Sequence, residues 1–414
     1  MYFSHHTFSR ACQIWQQQLL PLFLKFPMHI LIAPNAFKNS LSARDAAEAI
    51  RQGLLQSGLN CSMQCFPIGD GGDGTALLIK ETLNGIFFEV PARDPIGRMV
   101  KSSIGFIDDG KTAILEMADI SGLKLLLPEE LDPLHATSFG CGELIRIALD
   151  KGARKIILGI GGSATVDGGC GILQALGARF LDKSKKELTS LPERLVHLYS
   201  IDYSGIDKRI RETELVILCD VENFLLGEKG AAAIFAPQKG ASRDDVILLE
   251  KGLRQLRDIA YLQTGKDMNM LRHGGAAGGA AAGLNIFLNA KLVSGIEYFL
   301  DITGFDEALQ KTGLLITGEG KIDLQTLDGK GPFGVARRAR KKNIPVVGLA
   351  GEIAPEANKQ LDPYFNILMT IGHQPEDIQS ALLHTAENLQ FTAQQIGNLI
   401  GSDDSFFLNA LKIN

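Results

Sequence analysis

The 414-residue sequence predicts an α/β protein of two α/β domains. Three observations carry this. Apolar runs of strand length alternate with helical patterns, the signature of a mostly parallel sheet. The length exceeds what one hydrophobic core supports. The middle of the chain, from about residue 88 to 290, is less regular, with shorter strands such as "TAILEMA". It reads as a mixed α/β domain inserted into the first. The expected division is therefore 28–87 plus 291–414 for the first domain and 88–290 for the insertion, with the active site in the cleft between them.

The elements follow in order. "HILIAP" reads as a strand. "SARDAAEAIRQGLLQSG" reads as a helix, with Ser42 and Asp45 in capping-box spacing and Gly58 as the stop. "GCGELIRIALDKG" is a helix ending at Gly152 and leading into the strand "KIILGI". "ELVILCD" and "GLLITGEG" are further buried strands. "GPFGVARRARKKN" is a helix with Pro332 suited to its first turn and basic residues at its C-terminal end, followed by the strand "IPVVGLAG". "PEDIQSALLHTAENLQFTAQQIGNLI" closes the chain as helix. The low-complexity patch "HGGAAGGAAAGL", from His273, is a hinge, a close backbone contact, a small-residue helix interface or simply a flexible connection.

Residues 1–27 look unlike the rest and read as an N-terminal extension outside the fold, with Met28 a natural start; a targeting peptide is the alternative. "LLPLFLKF" is too short and interrupted to span a membrane. Apolar residues make up 45% and charged residues 21%, the composition of a soluble globular protein. A net charge of −5 argues against nucleic-acid binding. The six cysteines form no CxxC pair, so reduced thiols in a cytoplasmic protein are the simple reading. No membrane partner is expected, and a homodimer is left open.

The chemistry concentrates at strand ends. "NAFKNS" follows "HILIAP", "GDGGDGT" follows "CFPI", "GGSATVDGG" follows "KIILGI", "CDVEN" follows "LVIL", and "GEGKID" follows "LLIT". Ligands of open α/β sheets bind beyond the carboxyl ends of the strands. Glycine lets backbone N–H groups approach phosphate, carboxylates hold a divalent cation, and lysine neutralises transferred charge. That is the residue set of phosphoryl transfer.

One loop has a rival reading. "GIGGSATVDGGCG", from Gly159 to Gly171, fits a dinucleotide fingerprint in its first six residues, and Asp182 stands about twenty residues on. A nicotinamide-dependent oxidoreductase of a small hydroxy acid is thus an alternative. Against it, Gly168, Gly169 and Gly171 would weaken the helix that the fingerprint requires, and Asp167 has no role there. The other reading makes Gly161, Gly162 and Ser163 an anion nest beside Asp167 as metal ligand or base. The plain structural option is a buried tight turn with Asp167 capping a helix.

Together these motifs, with "ILEMADISGL", "TSFGCGELI", "CDVENFLLGEKGAAAIFAPQKGA", "SGIEYFL" and "TGEGKIDLQTLDGKGPFGVA", resemble the bacterial glycerate kinase family in content and order over roughly Met28 to Gly401. The resemblance implies ATP-dependent, magnesium-assisted phosphorylation of D-glycerate, usually at the 2-hydroxyl, with the 3-phosphate as the alternative product. It also implies one flavodoxin- or Rossmann-like domain built from both chain ends and one inserted domain. Departures from the family pattern are Asn35, Ala36 and Asn39 where Asp, Ser and Gly are usual, Lys321 where Arg is common, and Val166 where Asn is frequent. A catalytically silent sugar-acid sensor is a further alternative.

The expected roles are as follows. Asp167, then Asp70, is the candidate base, and Lys38 the catalytic cation. Lys38, Ser40, Asp70, Gly71, Gly72 and Asp73 bind substrate, while Thr75 caps the next helix. Gly161, Gly162, Ser163, Lys239, Gly318, Gly320 and Lys330 bind nucleotide phosphates, and Asp220, Glu319 and Asp323 hold the metal. On this reading Asp167→Asn lowers turnover by orders of magnitude in a folded protein.

Overall fold

The computed structural model describes residues 28–401 apart from 324–325 and 327–329, so the readings of residues 1–27 lie outside the described residues. In chain order the strands are β1 (Met28–Ile32), β2 (Cys61–Cys65), β3 (Ile86–Arg93), β4 (Met99–Ile107), β5 (Thr112–Glu116), β6 (Lys155–Gly159) and β7 (Arg179–Leu181). They continue with β8 (Ser200–Asp202), β9 (Glu214–Cys219), β10 (Lys291–Ser294), β11 (Leu314–Ile322), β12 (Val346–Ile353) and β13 (Ile367–Thr370).

The described chain forms two compact units. Unit 1 takes in 28–67, 305–323 and 335–401, and unit 2 takes in 68–304 with 326 and 330–334. Unit 2 is wider than the expected 88–290. The reason is local: the "GDGGDGT" loop hydrogen-bonds into the β6 loop, with Gly161 N donating to Gly71 O at 3.0 Å. The helix Thr75–Thr82 that follows is capped by Glu116, the last residue of β5.

Unit 1 is a five-stranded parallel sheet in the order β13-β12-β11-β1-β2. Counted within the unit this is the 2-1-3-4-5 order of flavodoxin-like folds, whose switch point lies between β1 and β11. The helix Ala43–Gln56 starts as its sequence predicts: Ser42 Oγ accepts from Asp45 N at 3.1 Å. Its apolar stripe, Ile50 and Leu54, packs with Ile30, Ile32, Ile316 and Leu389 in one buried cluster. Full burial of each such side chain contributes about 1.5–3 kcal/mol. The closing helix is two helices, Ile378–Leu383 and Thr385–Gly401, the first capped by Asp377 and ending at His384.

Unit 2 holds a six-stranded mixed sheet in the order β10-β9-β6-β5-β4-β3 and a small β7-β8 pair. β10, β9, β6 and β5 run parallel, while β4 and β3 add an antiparallel edge. The strands β5, β6 and β9 are apolar runs buried on both faces, as expected of a covered parallel sheet. The "HGGAAGGAAAGL" patch is a close backbone contact rather than a hinge: Gly168 N donates to Gly278 O at 3.0 Å, and the helix Ala280–Leu288 follows directly.

Candidate active site

Register sets the row of groups in unit 2. Glu116 of β5 stands opposite Gly159 of β6, Gly159 opposite Leu218 of β9, and Cys219 opposite Ser294 of β10. The carboxyl ends of four parallel strands therefore fall in one line, the edge at which open α/β sheets carry their ligands. Asp220 leaves this row from β9, and the Gly161–Asp167 loop leaves it from β6.

The "GDGGDGT" loop lies against this edge. Its own bonds shape it: Gly72 N donates to Asp70 Oδ1 at 3.2 Å, and Gly71 N donates to Thr75 Oγ1 at 3.0 Å. Thr75 is buried and holds the loop; it does not cap the helix as the sequence suggested. A Cβ on Gly72 would lie 3.0 Å from Asp70 Oδ1 and 3.9 Å from Asp220 Oδ2, so both half-buried carboxylates border this glycine. A Cβ on Gly161 would collide with Gly72 Cα and lie 3.2 Å from Asp220 Oδ2. Asp70, Gly71, Gly72, Gly161 and Asp220 are thus brought together.

Asp167 corrects the first expectation for the base. It is fully buried, and its carboxylate accepts from Ser138 N (3.0 Å), Ser138 Oγ (2.7 Å), Gly169 N (3.0 Å) and Gly171 N (3.1 Å). Ser138 and Gly169 are the N-caps of the helices Phe139–Asp150 and Cys170–Ala175. Asp167 therefore satisfies the orphan amides of two helix starts. Three of these bonds fall on Oδ2 and the carboxylate is closed to solvent, so in this fold it serves the helix starts. The same geometry disfavours the dinucleotide reading. The helix begins at Cys170, after two left-handed glycines, Gly168 (φ 63°) and Gly169 (φ 78°), and runs for six residues.

The anion nest is also partly spent. Gly161 N is bonded to Gly71 O, Gly162 O accepts from Leu123 N, and Ser163 Oγ accepts from Lys239 Nζ at 2.9 Å. Lys239 is no exposed phosphate lysine: it is 3% exposed, and Nζ also donates to Thr165 O at 2.7 Å. Burial brings its ammonium down to about 7, against the opposing pull of Asp167 and Asp220.

The group that sequence reasoning missed lies beside these loops. Glu116 accepts from Gly74 N and, at 3.2 Å, from Ala76 N. Oxygens of Asp73, Glu116 and Asp119 lie within 4.8 Å of one another. Burial, and then the charges of Asp119 and Asp73, push the Glu116 carboxyl up to about 8. Lys124 Nζ donates to Asp73 and to Asp119, each at 2.8 Å. Burial pulls its ammonium down, but the bonds to Asp119 and Asp73 outweigh this and raise it. Asp73 is accordingly an exposed partner of Lys124. An acid ending the apolar run "TAILE" was legible by the argument that picked Asp220 after "LVILC".

In unit 1 the expected residues gather at the β1–β11 switch point. Asn35 N donates to Gly318 O at 2.8 Å, and Asn35 Oδ1 accepts from Ala36 N at 2.8 Å. Lys38 is exposed in the turn after β1, and a Cβ on Gly320 would lie 3.5 Å from Lys38 N. Ser40 Oγ donates to Leu382 O at 2.6 Å. The strand "GLLITGEG" runs on to Ile322, so "GEGKID" is not a loop following "LLIT". Gly318 to Ile322 continue β11 and pair with Leu349 to Ile353, because ladder bonds outweigh the poor strand propensity of glycine. Glu319 is buried, Lys321 Nζ pairs with Glu352 at 2.8 Å, and Asp323 follows the strand end. Lys330 is half-buried, belongs to unit 2, and precedes the helix Gly331–Lys341. Val166 is fully buried, which explains an apolar residue there.

Acid- and glycine-rich turns at the ends of parallel strands define a class: α/β enzymes that handle small anionic substrates and phosphate. Comparison with known proteins narrows this. The model of the glycerate kinase family matches residues 30–401. A glycerate kinase of Bacillus subtilis (strain 168) is 41% identical over 92% of this chain and all of its own length. A glycerate 2-kinase of Escherichia coli (strain K12) is 40% identical over 86% of this chain and 94% of its own. The solved structure of a protein named as glycerate kinase 2 from Salmonella typhimurium LT2 superposes with a TM-score of 0.75 at 39% identity, covering 91% of this chain and 98% of that one. The chain belongs to the glycerate kinase family. Among the described residues no helix is long and apolar enough to cross a membrane.

Proposed function

We propose that this chain transfers the γ-phosphoryl group of ATP to the 2-hydroxyl of D-glycerate, giving 2-phospho-D-glycerate and ADP. The observation that carries the reading is the pair Asp70 and Asp220 bordering Gly72, beside the Gly161 loop. The name of the Escherichia coli relative supports the 2-position.

Asp70 takes the proton of the attacking hydroxyl, in place of the internally bonded Asp167. The new O–P bond forms as the bond to the ADP oxygen breaks. With no side chains on Gly71, Gly72, Gly161 and Gly162, phosphate oxygens can reach this edge, although the amides of Gly71, Gly72 and Gly161 already donate within the loops. Lys38 holds the glycerate carboxylate, and Lys330 holds a nucleotide phosphate. Magnesium fits the oxygen donor of Asp220; Asp73 and Asp119 fit it poorly, because the Lys124 ammonium already bridges them. Bound there, the ion neutralises phosphate charge. A cytoplasmic setting belongs to the same reading, since Cys61, Cys65, Cys141, Cys170 and Cys219 are free thiols.

The test is purified protein with ATP, magnesium and D-glycerate, the product identified by phosphorus NMR. The expected product is 2-phosphoglycerate. A 3-phospho product overturns the position, and no phosphorylated glycerate overturns the reaction. A fluorescence change of NADH or NADPH on mixing would favour the oxidoreductase instead.

A further inference from the structure

We infer that Lys239 is a positioning residue of the proposed transfer: from its buried place after Pro237 it fixes the Gly161–Thr165 loop, and through Gly161 the Gly71–Gly72 turn beside Asp70 and Asp220. The inference rests on the proposed reaction for its kinetic part only.

The loop is held from two directions. Backbone bonds fix Gly162 and Ala164: Leu123 N donates to Gly162 O at 2.9 Å, and Ala164 N donates to Ser121 O at 2.8 Å. Lys239 fixes the alternate residues, through Ser163 Oγ and Thr165 O. These partners lie 76 and 74 residues away in sequence, so no local bond replaces them. The loop then delivers Gly161 to Gly71, and Gly161 in turn lies beside Gly72 and Asp220.

The lysine is itself anchored. Lys239 N donates to Ala236 O at 2.9 Å, closing the short turn Pro237–Lys239. Gly240 follows in the left-handed region at φ 99°, where a Cβ would lie 2.5 Å from the Leu131 carbonyl oxygen. The charged groups acting on the ammonium are Asp167 and Asp220. A buried ammonium carries a desolvation cost that a methionine of similar reach avoids. What the ammonium adds is two directed bonds to one loop. Since Nζ is committed to Ser163 and Thr165, its contribution to phosphate affinity is small.

The experiment compares Lys239→Met with the wild-type full chain. Folding is checked by circular dichroism and thermal melting. Amide hydrogen exchange is read in the peptides covering 159–167 and 68–74, and kcat and KM are measured for ATP and D-glycerate. Exchange in both peptides should rise about tenfold or more. Turnover should fall about tenfold or more, with KM for ATP changing less than about threefold. Should Lys239→Met fail to fold, Ser163→Ala keeps the ammonium, removes one of its acceptors, and should show the same changes to a smaller degree. Unchanged exchange, unchanged kcat, or a large rise in KM for ATP with kcat preserved overturns the inference. So does phosphate appearing on Ser163 after incubation with ATP alone, which would make the pair a nucleophile and its base. Failure of the proposed reaction shows separately, as absence of phosphoglycerate from the wild type, and leaves the exchange comparison intact.

Discussion

Gly161 N donates to Gly71 O at 3.0 Å, tying the loop after β6 to a loop 90 residues earlier in the chain. This one bond closes the two glycine loops on each other, and there is no room for a side chain at the junction. Gly161→Ala would drive a Cβ into Gly72 Cα. The variant should lose about 1–3 kcal/mol in urea unfolding, the usual cost of overpacking. Its turnover should fall as well, since Asp220 lies at the same point. Wild-type values for both would show that the loops separate without cost.

Asp167→Asn should unfold more easily rather than remain folded and merely inactive. An amide offers one acceptor oxygen where the carboxylate serves four donors. The expected loss is about 2–4 kcal/mol, because charge-assisted buried bonds are lost and an amide N–H₂ then faces N–H donors. Unchanged stability with abolished turnover would return Asp167 to the list of candidate bases.

Asp70→Asn should keep the wild-type melting temperature and lose about a hundredfold or more in kcat, the range for removing a general base. Retention of activity would move the base to Asp220 or elsewhere. Lys38→Ala should raise KM for D-glycerate about tenfold with a smaller change for ATP, as expected for a cation on the substrate carboxylate.

Glu116 gives a pH signature. Its folded pKa, about 8, lies above the ordinary carboxyl value of 4.5 that describes the unfolded chain. Between these values the unfolded state has lost the proton and the folded state retains it, so raising the pH through this window lowers stability. Below the window both states are protonated and the effect vanishes; above it the loss is complete. Glu116→Gln lacks this slope. The stability of Glu116→Gln relative to wild type should therefore rise from pH 5 to pH 8 in matched urea titrations. A constant difference would mean that the carboxyl is ionised in the fold across the range.

The strand-end loops were legible because both their ingredients are local. An apolar run bounded by glycine and acid needs only the sequence to be seen, and parallel strands place such ends on one edge. The strand reading of "GLLITGEG" stopped short of its end: pairing with β12, 31 residues further along the chain, keeps the backbone extended to Ile322. Glu116 escaped notice although it ends "TAILE" as Asp220 follows "LVILC".

By itself the sequence determined the α/β class, the parallel strands with their acid and glycine ends, and the family. Only the tertiary structure decided which of those polar residues face inward. Asp167 and Lys239 look like site residues in the sequence. In the fold Asp167 is buried by the amides of two helix starts, and Lys239 by partners more than 70 residues away. Burial of a charge depends on which distant donors and acceptors arrive to replace water, and no local pattern records that.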